Sequence, residues 1–392
     1  MKTQTRQRKE ALLQLFQAGV DAVGGLQATR RALADEHLSG PLYLVAIGKA
    51  ANAMAQGALE ILGDSLVSGL VITKHDHLSD GVREDTRLEC IESGHPVPDE
   101  QSLHAGLRLY DFVAKIPEEH QLIFLVSGGA SALVENLDNN LTLTDLKTAT
   151  DKLLASGAPI GEMNRQRRQM SLIKGGKLAR VLKCKVLQLL ISDVPGDVLG
   201  DIGSGLLVPD AATGMHEHLP VWQRVTTRII ASSLIAQTAV AESAKAQGLD
   251  VQQASGDLNG DIDVVAERVT QTLVDAKRGV YIWGGEPTVV LPDKPGRGGR
   301  NQHLALSLAT MAAEHGRLSI LVCGTDGTDG PTGDAGGCVD ELSTALADKQ
   351  AIDIAQFLQA ADAGTALAAL DLLVTTGPTG TNVMDLCIAF AD

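Results

Sequence analysis

Residues 42–62 read LYLVAIGKAANAMAQGALEIL, and the break inside that stretch decides the fold. Its first six residues form an apolar run with no polar face, as in a strand buried on both sides. Gly48-Lys49 then interrupts it, and the remainder is rich in the helix formers Ala, Met and Leu. A buried strand that passes through glycine into a helix is half of a βαβ unit. The same pattern recurs at 122–131 (LIFLVSGGAS), 189–197 (LLISDVPGD), 280–288 (VYIWGGEPT), 318–329 (LSILVCGTDGTD) and 372–382 (LLVTTGPTGTN). Each run predicts a buried parallel strand. Helical patterns alternate with them at 50–62, 102–113, 143–156, 226–247, 262–276 and 301–313. The fold class is therefore α/β with an open twisted sheet. Ligands of such sheets bind outside the carboxyl ends of the strands, where the glycine-rich loops emerge.

The 392 residues allow two or three domains. Residues 248–260 turn polar and glycine-rich, which places one domain over 1–250, a connection over 251–278 and a second domain over 279–392. Only 3% of the chain is aromatic, so stacking platforms for nucleic acid are not expected. No apolar stretch reaches the roughly 18 residues of a membrane span. Positions 12, 13, 16 and 20 (Leu, Leu, Phe, Val) share one face of an amphipathic N-terminal surface helix. The five cysteines contain no C-x-x-C and read as reduced thiols of a cytoplasmic protein. The net charge of −15 is unevenly spread: residues 320–392 hold eleven acids and one base, while 161–185 hold eight bases and one acid. An anionic small molecule is thus compatible with an acidic chain.

The loops carry the chemistry. Gly48-Lys49 would aim an ammonium and a helix N-terminus at one anion. Ser127, Gly128, Gly129 and Ser131 offer hydroxyls and approachable backbone amides, and Lys174-Gly175-Gly176-Lys177 sets two cations around a flexible turn. Asp193 and Asp197 flank a turn where they could cap it, hold Mg²⁺ or accept a hydroxyl proton, with Glu286 and Asp326 on comparable loops. Residues 295–302 (PGRGGRNQ) put Arg297 and Arg300 among glycines just before a helix, in a form suited to carboxylate or phosphate. No histidine pairs at metalloprotease spacing or sits by a G-x-S-x-G serine. Glycine loops, cations and carboxylates without a nucleophile-and-base pair match phosphoryl transfer, where positioning and charge stabilisation dominate.

As a set, IGKAANAMAQGA (47–58), SGHPVPDE (93–100), SGGASAL (127–133), SLIKGGKLA (171–179), SDVPGD (192–197), GGEPTV (284–289), GRGGRNQHLAL (296–306), GTDGTDGPT (324–332) and TGPTGTNVMDL (376–386) resemble the glycerate 2-kinase family. Its members carry a C-terminal MOFRL domain and are often named hydroxypyruvate reductases. The resemblance covers nearly the whole chain. It implies a larger Rossmann-like three-layer domain and a smaller α/β MOFRL domain, with ATP- and Mg²⁺-dependent phosphorylation of D-glycerate at the 2-hydroxyl. It assigns catalysis to Lys49 and Arg300 and nucleotide binding to Ser127, Gly128, Gly129, Ser131, Lys174 and Lys177, while Asp193 is the catalytic carboxylate expected from its place at a strand end. Arg297 and Asn301 would meet the substrate, and Asp193, Asp197, Glu286 and Asp326 are the metal candidates. The partners are small molecules, with no nucleic acid or membrane, and a homodimer is compatible. The chain departs from the family pattern at Ala130, at Gln169-Met170 and at Leu206. A nicotinamide-dependent hydroxypyruvate reductase and a kinase for another small sugar acid remain as alternatives. The first has no G-x-G-x-x-G following a strand to support it.

Overall fold

The run at 42–49 is strand β1, Leu42–Ile47, and it lies inside a six-stranded sheet. The other strands are β2 (Leu66–Lys74), β3 (Leu88–Ser93), β4 (Gln121–Val126), β5 (Lys185–Ile191) and β6 (Val225–Ala231). Their order is β3-β2-β1-β4-β5-β6 and every pairing is parallel. This is the doubly wound order, whose direction reverses between β1 and β4. Val45, Ile47, Leu70, Ile72, Leu122 and Phe124 form its core. Burying each such side chain contributes about 1.5–3 kcal/mol. The Glu100–Lys115 helix begins in a capping box, with Asp99 accepting from the Ser102 amide at 2.9 Å and Ser102 Oγ accepting from the Asp99 amide at 3.1 Å. It buries Ala105, Leu109 and Val113 against that core.

The computed structural model describes residues 2–138, 140–155, 160–254 and 256–392. Ser156, the expected end of one helix, and Ser255, in the expected connection, lie outside them. Cα packing groups Gly24–Ala231 as one unit and Met1–Val23 with Ser232–Asp392 as the other. That division differs from a boundary near residue 250 for a physical reason. Residues 226–247, read as one helix, are β6 followed by the Ser233–Ala246 helix. The run from Val225 to Ile230, β-branched except at Arg228, suits a pleated strand and pairs with β5, and Ser232 starts the helix beyond it. The N-terminal helix, Lys2–Val23, buries Leu12, Leu15, Phe16 and Val20, and it packs on the Ser233–Ala246 helix of its own unit. It is thus a core helix, where a surface helix was expected.

The second unit contains β7 (Gly260–Asp261), β8 (Gly279–Gly285), β9 (Pro287–Thr288), β10 (Leu318–Gly324), β11 (Gly336–Asp340), β12 (Leu373–Val374) and β13 (Asp385–Ala391). Its main sheet runs β12-β11-β10-β13-β8, and every pairing is antiparallel. The expectation of parallel strands fails here because a loop, not a crossover helix, connects β10 to β11. Of 372–382 only Leu373–Val374 is strand; the rest is a loop feeding β13, a strand the sequence reading missed. The reversal has a chemical consequence. The first residue of β13, Asp385, pairs with the last residues of β8 and β10, Gly285 and Gly324. Among the described residues no helix is long and apolar enough to cross a membrane.

Candidate active site

In the parallel-sheet unit, β1 and β4 end side by side at the point where the strand order reverses, and their loops are stitched together. The Gly48 amide donates to Ile72 O at 3.1 Å, the Lys49 amide to Gly128 O at 2.9 Å and the Ala50 amide to Ser127 Oγ at 3.0 Å. The leading amides before the Ala51–Leu62 helix are therefore taken up by protein. Inside the helix, no protein acceptor among the described residues takes the amides of Asn52 and Ala53. The Lys49 side chain remains: it is half-buried and has no ion-pair partner among the described residues.

The second loop is built the opposite way. Ser127 is buried, and its hydroxyl acts within the structure as the acceptor for Ala50. No protein acceptor among the described residues takes up the Gly128 and Gly129 N–H groups. Gly129 has a φ of 82°, in the left-handed region. A Cβ on Gly128 would fall 1.8 Å from Asp193 Oδ2, so the Asp193 carboxylate, from the loop after β5, lies directly on that glycine. A Cβ on Gly129 would fall 3.0 Å from His95 Nε2 and 3.1 Å from Lys49 Cγ. Two available amides, a lysine stem, an imidazole and a carboxylate thus meet at one dipeptide. Successive backbone amides beside a cation favour an anion. Burial, reinforced by Lys49 and Lys74, pulls His95 down to about 4, so its ring is neutral at pH 7.

Other expected nucleotide residues do different work. Ser131 Oγ lies 2.7 Å from Ser204 Oγ. Lys174 is 1% exposed, donates to Ser131 O at 2.8 Å and forms a buried ion pair with Glu135. Lys177 Nζ donates to Arg168 O at 2.8 Å and Ser171 O at 2.6 Å. The Lys174 ammonium is thus taken up by Ser131 O and the Glu135 carboxylate and that of Lys177 by backbone carbonyls, and turning either toward a phosphate would leave these acceptors unpaired. Asp197 follows in a left-handed turn, φ 54°.

The antiparallel-sheet unit holds a separate network. Arg300 opens the Arg300–His315 helix, bonding Asp385 through Nε at 2.6 Å and Glu286 through NH1 at 2.6 Å. Asn301 is fully buried and donates through Nδ2 to Asp385 at 3.0 Å. Asp329 caps this helix, accepting from the Asn301 amide at 3.0 Å and the Gln302 amide at 2.8 Å. Burial pushes Asp385 up to about 7 and Asp329 up to about 6, against the pull of Arg300 and of these hydrogen bonds. Burial alone would lower Arg300, but Asp385 and Glu286 carry it above its usual value. Arg297 pairs with Asp334 and donates to Gly364 O at 3.2 Å, so it braces its own loop. Asp326 closes a tight turn, accepting from the Thr328 amide at 3.0 Å. No group of three His, Cys, Asp or Glu is poised for an ion among the described residues.

Sequence reasoning missed His95, Asp329 and Asp385. Each lies in a quoted motif, but a lone polar residue beside prolines, in a glycine loop or at the head of a strand carries no spacing signal. Only folding sets His95 on Gly129 and Asp385 beneath Arg300.

Two family models match the chain: one described as a domain of unknown function over residues 11–236, and the MOFRL family over 279–385. A protein of Thermotoga maritima named D-glycerate 2-kinase is 34% identical, over 97% of this chain and 97% of its own length. A relative from Agrobacterium vitis, 35% identical over 88% of this chain and 98% of its own, carries hydroxypyruvate reductase as a provisional name. The crystal structure of the Thermotoga maritima glycerate kinase superposes with a TM-score of 0.89 at 32% identity, covering 99% of this chain and 100% of that one.

Proposed function

Since this chain belongs to the glycerate 2-kinase family with a C-terminal MOFRL domain, we propose that it transfers the γ-phosphoryl group of ATP to the 2-hydroxyl of D-glycerate. In that reaction the bond from the 2-oxygen to phosphorus forms, the bond from the γ-phosphorus to the bridging oxygen breaks, and ADP leaves. The observation that carries the reading is the pair of unclaimed amides at Gly128 and Gly129 beside Lys49, at the reversal point of a doubly wound sheet. Those groups hold phosphoryl oxygens, and the Lys49 ammonium neutralises the charge they share in the transition state. Asp193, an acceptor-only carboxylate on Gly128, is the group proposed to take the hydroxyl proton. Arg300 is the second proposed cation. Its side chain is 37% exposed although two carboxylates hold it, and a guanidinium with five donors has some to spare.

The residues present suit Mg²⁺ carried mainly by the nucleotide. No all-protein cage exists among the described residues, and an ion bound to phosphates needs only one or two carboxylates. Asp193 fits that part, and the ion would supply further charge neutralisation. Five free thiols fit a reducing compartment, and the cytoplasm is the one proposed.

The reductase alternative meets a physical obstacle. A dinucleotide fold presents the amides of its first turn to the pyrophosphate, and here those of Gly48, Lys49 and Ala50 are already bonded within the protein. Two coupled assays decide. ADP formation with D-glycerate, with a product ester at carbon 2 by NMR, supports the kinase. NADH oxidation with hydroxypyruvate and no ADP from glycerate overturns it.

A further inference from the structure

His95 is a group for which the proposed transfer has no task so far. Its ring is half-buried, none of its nitrogens has a hydrogen-bond partner among the described residues, and its Nε2 edge lies over Gly129. The point 3.0 Å from His95 Nε2 is also 3.1 Å from Lys49 Cγ, so imidazole and lysine stem flank the same small space. The chemistry of the three neighbours divides the acceptor among them. The Lys49 ammonium suits an anion, whether carboxylate or phosphoryl. The Asp193 carboxylate can only accept, which suits the hydroxyl that gives up its proton. What a neutral imidazole suits is an uncharged group that both donates and accepts, and glycerate has one such group left.

We propose that His95 hydrogen-bonds the 3-hydroxyl of glycerate and so selects a dihydroxy acid over its monohydroxy analogue. The inference rests on the kinase reading and adds the specificity device to it. The burial that keeps the ring neutral supports it, because a cationic imidazole would compete with Lys49 for the anion. A site built to bond a hydroxyl rejects the analogue lacking it, since its own polar group is left unpaired.

The experiment compares D-glycerate as substrate with D-lactate, the same acid without the 3-hydroxyl, as inhibitor, in the parent enzyme, H95A and H95Q. The expected result for H95A is a rise of about 10–100-fold in the glycerate KM, the size of one lost substrate hydrogen bond. The lactate inhibition constant and the KM for ATP should stay within about threefold. H95Q, which keeps a polar group, should recover part of the loss. A parallel rise for lactate, or a rise confined to ATP, overturns the assignment while leaving the kinase reading intact. A parent enzyme that makes no phosphoglycerate removes both. Should H95A not fold, H95Q and H95N carry the same ratio of glycerate to lactate, and a ratio unchanged in both overturns the assignment.

Discussion

The two cation clusters make opposite use of the same materials. Each sets a carboxylate directly against a glycine: Asp193 on Gly128 in the parallel-sheet unit, and Asp329 on Gly299 in the antiparallel-sheet unit. Around Gly128 the amides and the lysine have no protein partners among the described residues, so the cluster is arranged to take up a ligand. Around Gly299 the amides of Asn301 and Gln302 are capped, and Arg300 is held by two acids. A cation that must meet an incoming phosphoryl group is kept half-buried and unpaired. One that must stay oriented is pre-bonded, and its pairing lowers the cost of holding a charge near the core.

The sharpest way to break this contrast is Lys49→Ala. Its kcat/KM for glycerate should fall by about 10²–10³, or roughly 3–4 kcal/mol, with little change in thermal unfolding, as initial rates and a melting curve would show. A loss under about threefold would mean that the unpaired lysine is not the phosphoryl cation. Next in size is Asp385→Ala, which should act on the fold: it leaves Arg300 with Glu286 alone and should cost about 3 kcal/mol in denaturant unfolding. If its stability matches the parent, the closed network is not structural.

The two glycines give a subtler comparison. In Gly128→Ala the new methyl meets the movable end of Asp193 at 1.8 Å, so it should displace the carboxylate and reduce turnover more than stability. In Gly299→Ala it meets the backbone carbon of Asp329 at 2.5 Å as well as its carboxylate, which cannot swing aside. That variant should lose about 1–3 kcal/mol of stability by overpacking. Finding the same balance of turnover and melting temperature in both would erase the distinction.

Smallest is an opposite tilt with pH, readable by hydrogen exchange resolved for each unit. His95 has its folded value depressed to about 4, below its ordinary 6.5, so protection in its unit should rise as pH climbs through that interval. Asp385 and Asp329 are raised from 3.8 to about 7 and about 6, so their unit is favoured below pH 4 and loses that contribution as pH rises through these values. H95N should flatten the first slope and D385N the second, and slopes that survive both substitutions would assign the effect to other groups.

Much of this was legible in local sequence. The 42–62 stretch announces a strand, a glycine break and a helix, and β1 with the Ala51–Leu62 helix follows it closely. Lys49, the 127–131 loop and the PGRGGRNQ loop were identifiable because glycine beside a charged residue is a backbone property carried by the residues themselves. The lysines of the KGGK turn mark the limit of that signal: the sequence shows two cations on a flexible turn, but not that Ser131 O, Glu135 and the carbonyls of Arg168, Gln169 and Ser171 receive them.

Periodicity and composition by themselves determined an α/β chain with apolar strands ending in glycine loops, because strand and helix patterns depend on near neighbours. Tertiary structure alone decided that the second sheet is antiparallel, that Asp385 lies under Arg300 and that His95 rests on Gly129. Those facts depend on which distant segments pair, and pairing is set by the burial of whole faces rather than by any residue's neighbours in the chain.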